Sequence, residues 1–337
     1  MADALTDLLT TRDWLLLDGA TGTNLFDLGL QSGEAPELWN VDAPEKVRAL
    51  HDGFVGAGSD LILTNSFGGS AYRLKLHDAA DRVYELNARA AELARESADA
   101  VERPVIVAGS VGPTGEILAP VGTLSEDDAA EAFAAQMTGL MEGGADVIWA
   151  ETISSEEEMR AAHQAAASVG APFCGTLSFD TAGRTMMGVT SEGYAALAAR
   201  FTPELIALGA NCGTGAPDLL RTVMGLTAAS PDAVVIAKAN AGIPKFSCGC
   251  IHYDGTPELM ADYSRLAIDA GARLIGGCCG TKPEHLRAMR AALEAHTKGE
   301  RPALEAIVER IGPFSSASDG TGEDAAPAER PRRRRRR

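Results

Sequence analysis

The chain has 337 residues, of which 45% are hydrophobic, and a formal charge of −17 at pH 7. That supplies a large core, yet no run of about 18 apolar residues exists, which excludes a membrane-spanning helix. Residues 323–337 carry seven Arg and three acids; without them 23 basic residues face 44 acidic ones, and a body at −21 repels nucleic acid phosphates.

The opening segment "MADALTDLLTTRDW" mixes acids with apolar residues and has no basic stretch before a long apolar core. It does not read as a signal peptide. Six cysteines in such a chain point to a reducing compartment, the cytoplasm by default, where thiols serve as ligands or nucleophiles more often than as bridges.

Eight short apolar runs follow: "WLLLDGAT" (14–21), "LILTNSF" (61–67), "VIVAGSVGP" (105–113), "VIWAETI" (147–153), "FCGTLSF" (173–179), "LGANCG" (208–213), "VVIAKANAG" (234–242) and "LIGGCCG" (274–280). Nearly continuous hydrophobicity over so few residues predicts strands buried on both faces of a parallel sheet. Helical patterns lie between them. "SEDDAAEAFAAQMTGLMEGG" starts at Ser125 as N-cap, puts Phe133, Met137, Leu140 and Met141 on one face, and ends at Gly143–Gly144. The junctions "AGSDLIL", "GGADVIW" and "AGARLIG" repeat one passage from helix end to new strand. Eight βα units without an internal linker predict a single-domain α/β fold, a (β/α)8 TIM-type barrel over residues 1–312; a doubly wound sheet is the alternative. Residues 313–337 read as a disordered, Arg-rich, solvated tail, the alternative being contact with RNA or an acidic partner.

Polar residues collect at the C-terminal ends of these runs: Asp18, Asn65, the turn at Gly112, Glu151, Cys212, Asn240, and the adjacent pair Cys278–Cys279. In a barrel those ends share one face, where active sites lie. A carboxylate such as Glu151 at the end of "VIWA" needs a partner once buried. Cys212 and Cys278–Cys279 end strands separated by one strand, within reach of a single ion. The glycines at 276, 277 and 280 are expected to relax the backbone so that both neighbours bend to one point. Three thiolates leave the fourth position of a tetrahedral zinc open, as a catalytic site requires. Such a centre suits activation of a substrate thiol for alkyl transfer. Small buried hydrophobes or a redox dithiol are the alternatives for the pair. Cys174 reads as core, and Cys248 and Cys250 as loop thiols after the seventh strand.

The motifs "DGATGTNL" (18–25), "TNSF" (64–67), "GPTGE" (112–116), "ET" (151–152), "NCG" (211–213), "NAGIP" (240–244) and "GGCCGT" (276–281) occur in the order seen in the homocysteine S-methyltransferases, which the chain resembles over about residues 12–295. The resemblance implies a zinc-dependent barrel that methylates homocysteine to methionine. It implies zinc ligation by Cys212, Cys278 and Cys279, with Asn240 a candidate for the open position until substrate arrives. Asp18 and Glu151 would hold the substrate ammonium, amides around Gly19 and Ala20 its carboxylate, and Asn65 would either contact substrate or tie loops together. The methyl donor is expected to be betaine or a similar onium compound. The alternative is a homocysteine-activating subunit of a split cobalamin-dependent methionine synthase, fed by a separate corrinoid protein; an oligomer is compatible with either. A betaine donor calls for an aromatic cage, with Trp39, Phe67, Tyr72 and Trp149 as candidates. Animal betaine enzymes carry a tyrosine after the second strand's phenylalanine, whereas here Phe67 precedes Gly68 and Gly69.

Overall fold

The structure is a computed structural model that describes residues 4–242, 245–247 and 250–320, with only the backbone described at 245–247 and 250–252. Eight parallel strands form the expected barrel. They are β1 (Leu15–Leu16), β2 (Leu61–Leu63), β3 (Ile106–Val111), β4 (Val147–Ile153), β5 (Phe173–Leu177), β6 (Ala207–Cys212), β7 (Val235–Ala239) and β8 (Leu274–Gly277), all lying within or beside the apolar runs. Neighbours pair in sequence from β2 to β7, then β7 with β8 and β8 with β1, every pair parallel. Between β7 and β8 a short antiparallel hairpin, Lys245–Ser247 with Cys250–His252, rises from the loop. Cys248 lies outside the described residues, as does the side chain of Cys250.

Alternation along the strands sorts the core into two layers. Leu15, Leu17, Leu61, Leu63, Ile106, Ala108, Val147, Trp149, Cys174, Ala207, Ile236 and Leu274 pack together, and Leu5, Leu8 and Leu9 of the helix Ala4–Thr11 join them. The intervening residues, such as Leu16, Ile62, Val107, Ile148, Phe173, Ala237 and Ile275, face the surrounding helices. Cys174 is therefore core, as expected. Caps follow local chemistry: Ser125, Ser155, Thr190 and Thr256 each accept a backbone N–H three residues on at a helix start.

The seam between β1 and β2 is closed partly by side chains. The Asp60 N–H donates to Leu16 O at 2.7 Å, Leu16 N–H donates to Asp60 Oδ2 at 3.0 Å, and Leu63 N–H donates to Asp18 Oδ2 at 2.7 Å. The two carboxylates stand in for missing ladder acceptors.

The tail boundary shifts relative to the sequence reading. Residues 313–320 lie on the barrel: the Arg221 guanidinium sits 4.5 Å over the Phe314 ring, Ser315 N–H donates to Asp218 Oδ2 at 2.9 Å, and Arg221 donates to Ser316 O at 3.0 Å. A single aromatic and a buried Arg–Asp pair anchor a stretch whose composition alone reads as solvated. Residues 321–337, with the Arg run, lie outside the described residues. No helix among the described residues is long and apolar enough to cross a membrane.

Candidate active site

The strand ends converge on a cavity of about 490 Å³ at the C-terminal face, lined by Gly19, Asn65, Glu151, Lys238, Cys212, Cys278 and Cys279 among others. The three sulfurs lie within 4.8 Å of one another. Tetrahedral zinc with Zn–S bonds of about 2.3 Å sets its sulfurs roughly 3.8 Å apart, so this donor set fits a metal with little adjustment.

Each thiol arrives by a different backbone device. Cys212 ends β6 in the left-handed region at φ 61°, an uncommon conformation for a side-chain-bearing residue. Cys278 continues the ladder, its N–H donating to Ala239 O at 2.6 Å, and the chain then turns through Thr281 N–H to Cys278 O at 3.1 Å. Gly280 supplies the positive φ of that turn, 78°. Gly277, expected to loosen the backbone, serves instead for close approach: a Cβ there would meet the Thr281 side chain at 2.2 Å. Asn240 spends its amide on backbone, Oδ1 accepting from Cys279 N–H at 3.1 Å and Nδ2 donating to Gly213 O at 2.9 Å. In this arrangement it is a strut holding the thiol loop.

The protons within the cluster are unequally held. Hydrogen bonding to Cys278 and Cys279 pushes the Cys212 thiol up, while hydrogen bonds received from Cys212 and Cys278 pull Cys279 down. Three thiolates this close repel one another, so the protein alone keeps the cluster protonated in part; a divalent cation removes that constraint. Asn211, not anticipated from sequence, braces the site: Oδ1 accepts from Thr152 N–H (2.8 Å) and Thr176 Oγ1 (2.7 Å), while Nδ2 lies 3.8 Å from Cys278 Sγ. It fixes Thr152 in its own left-handed conformation, φ 62°. Tyr253, likewise unanticipated, hydrogen-bonds the Cys279 sulfur.

The acids behave differently from each other. Asp18 is fully buried, with Oδ1 receiving Lys238 Nζ at 2.6 Å and Oδ2 receiving Leu63 N–H, so both oxygens are engaged. Glu151 lines the cavity and accepts from Ser110 Oγ at 2.5 Å; burial, against the pull of Lys238, raises its carboxyl to about 7. Ser110 is itself set by the "TNSF" segment: Ser110 N–H donates to Thr64 Oγ1 at 2.9 Å, and Ser66 Oγ donates to Ser110 O at 2.7 Å. Lys238 escaped the sequence reading, although a lysine inside the apolar run "VVIAKANAG" was its signal, because a buried ammonium requires a carboxylate.

Two of the expected substrate-contacting groups line the cavity and are also engaged within the protein itself. Asn65 donates its amide to Pro36 O at 2.8 Å and Asn40 Oδ1 at 2.9 Å, tying the 36–40 segment to the strand end. Ala20 gives its N–H to Thr281 O at 3.1 Å, which leaves the first turn of the helix Thr21–Asp27 with amides unspent beside the cavity. Of the aromatic candidates only Phe67 lines the cavity, joined by Phe26 and Tyr253. Trp149 is buried in the barrel interior, Trp39 lies under Lys46 and Tyr72 under Lys75.

The family model described as homocysteine S-methyltransferase matches residues 15–293. A methionine synthase of Mycobacterium leprae is 30% identical over 318 residues, 89% of this chain but 26% of that protein, so the chain spans about a quarter of the length of this curated relative. Among solved structures, the metallated form of the homocysteine methyltransferase MmuM of Escherichia coli superposes with a TM-score of 0.69 at 27% identity, covering 85% of this chain and 99% of that one. Its oxidized form gives a TM-score of 0.69 at 28% identity over 86% and 99%.

Proposed function

The chain belongs to the homocysteine S-methyltransferase family, and from that premise we propose that it methylates the thiol of homocysteine to give methionine, using a zinc ion held by Cys212, Cys278 and Cys279 and a small onium methyl donor such as betaine. The observation that carries this reading is the meeting of three thiols and the under-compensated acid Glu151 in one cavity. A thiol, an ammonium and a carboxylate are what homocysteine presents.

Zinc, when bound, lowers the pKa of a coordinated thiol so that it is a nucleophile at neutral pH. The remaining work belongs to the chain. Glu151, steadied by Ser110, receives the substrate ammonium. Asp18 acts through Lys238, keeping the floor of the site charged and ordered. The backbone at Gly19, with the first-turn amides of the helix Thr21–Asp27, receives the carboxylate. The thiol proton passes to solvent, and the sulfur attacks the donor methyl carbon in line. A C–S bond forms as the donor's C–N or C–S bond breaks, and the electron pair leaves on a neutral amine or sulfide. The barrel over residues 1–312 is the catalytic unit in this reading.

Cys278→Ala tests it. The variant should lose bound zinc, measured by atomic emission, and at least about 1,000-fold in methionine formation; activity without metal rejects the proposal. A second reading has one observation in its favour, the match to a quarter of a much longer methionine synthase. In that case the methyl arrives on a separate corrinoid protein, and methionine forms only when that protein is added.

A further inference from the structure

The matched family region ends at residue 293, yet the chain returns to the barrel mouth beyond it. Residues 313–320 run as a strap over the loops after β6 and β5. Their contacts centre on the start of the helix Ala216–Ala229, which follows closely on Cys212. That helix begins at Gly215, which offers no side-chain cap, unlike the starts at Ser125, Ser155, Thr190 and Thr256. Asp218, in its first turn, is placed where an acid can cap a helix from within. Both of its oxygens are spent on other groups: Oδ1 accepts from Arg221 at 3.0 Å and Oδ2 from Ser315 N–H at 2.9 Å. The Arg221 and Asp218 side chains are 9% and 10% exposed, and Phe314 closes over the guanidinium. Ser315 Oγ also lies 3.2 Å from Thr214 Oγ1, within the turn that carries Cys212 into the helix. Gly320 finishes the strap in close backbone contact with Gly183, where a Cβ on it would meet Gly183 O at 2.2 Å.

The turn itself needs holding. Cys212 and Gly213 are both left-handed, at φ 61° and 71°, and for Cys212 that conformation is unfavourable. A residue keeps such a conformation only where its surroundings leave it no alternative. From inside the barrel the turn has Asn240 Nδ2 on Gly213 O at 2.9 Å. Behind it Phe179, Ala210, Leu219 and Thr222 border a narrow cleft, so the packing against Cys212 is not continuous. We infer that the strap positions the metal site: Arg221, Phe314 and Ser315 hold the 213–215 turn from the solvent side and so keep the Cys212 sulfur within reach of Cys278 and Cys279. The inference rests on the three-thiolate zinc reading and adds to it a part of the chain outside the matched region. Cys278 and Cys279 need no such support, because their turn is closed by Thr281 N–H on Cys278 O and by Asn240 on Cys279 N–H. Cys212 is the ligand whose place depends on the strap.

Two measurements on the full-length protein test it. Zinc-loaded Phe314→Ala should release its metal to EDTA about tenfold faster than wild type. In the zinc-free, reduced protein, iodoacetamide should label Cys212 roughly three- to tenfold faster in that variant, read by peptide mass mapping. Cys278 and Cys279 should change less than about twofold. Phe314→Tyr keeps a ring over Arg221 and should restore both rates. Trp14→Ala removes the ring beneath Arg290 at the opposite end of the barrel, and should lower the melting temperature while leaving both rates alone. Wild-type rates in Phe314→Ala, or equal acceleration of all three thiols, overturn the inference. So does a Trp14→Ala variant that releases zinc as fast as Phe314→Ala, because loss of stability alone would then account for the effect. Failure of the wild-type protein to take up zinc rejects the metal reading instead, and the labelling comparison still decides the role of the strap.

Discussion

Both ends of the barrel hold a buried aspartate, and the two are compensated in opposite ways. Asp60, before β2 at the N-terminal end, is approached by Arg12 at 2.7 Å, Arg290 at 2.8 Å and Arg103 at 3.8 Å, and also accepts Leu16 N–H. Three partly exposed guanidinium groups share one anion. At the other end Lys238 is the cation that Asp18 and Glu151 share, with the Cys278 sulfur adding to the negative side. A surplus of cations at the base describes a clamp, complete as it stands. A deficit of cations around Asp18, Glu151 and the three thiols describes a site that awaits a positive group, which is what a metal ion and a substrate ammonium would bring.

Removing the shared cation should have the largest effect. Lys238→Met leaves Asp18 buried without its ion pair and should cost about 3–5 kcal/mol in urea unfolding, whereas the double variant with Asp18→Asn should recover most of that loss. If the single and double variants were equally unstable, the pair would not be the source of the cost. At the base, Asp60→Asn leaves three guanidinium groups that water can reach, so the penalty should be smaller, roughly 1–3 kcal/mol, with the homocysteine KM unchanged. A changed KM would mean that the two ends are coupled.

Glu151→Gln sharpens the contrast because its effects on binding and stability have opposite signs. Loss of the charge should raise the homocysteine KM roughly 10- to 100-fold. In the wild-type protein the same KM should rise as pH falls through about 7, where Glu151 takes up its proton, and the variant should lack that dependence. A carboxyl raised on folding costs stability as pH climbs above its ordinary 4.5, and the full cost is present above about 7. The variant should therefore be about 1–3 kcal/mol more stable above pH 7, with the gain vanishing near pH 4.5. A gain that grows toward acid would contradict the assignment.

Much of the molecule was legible before folding was considered. Short apolar runs tell where parallel strands lie because a strand covered on both faces has no polar alternation to hide it. Cys212 with Cys278–Cys279 was legible too, since few structural reasons place two thiols side by side between glycines. Residues that act through others were harder to read. Ser110 looks like any small strand residue until Thr64 and Ser66 are seen to aim it at Glu151. Asn211 precedes Cys212 and acquires meaning only when its amide spans Thr152, Thr176 and Cys278. Lys238 could have been noticed by its solitude among apolar neighbours; Glu37, which accepts Gly68 N–H from the one-turn helix Pro36–Leu38, gave no such signal.

By itself, then, the order of residues decided the barrel, the face that carries the site and the thiols that meet there, because strand period and strand-end position are local properties of the chain. Only the tertiary structure decided how charge is shared. Asp18 and Lys238 are 220 residues apart, and Glu37 and Gly68 are 31 apart. Barrel closure makes these groups neighbours, and the excess or want of a counter-charge exists only once they are.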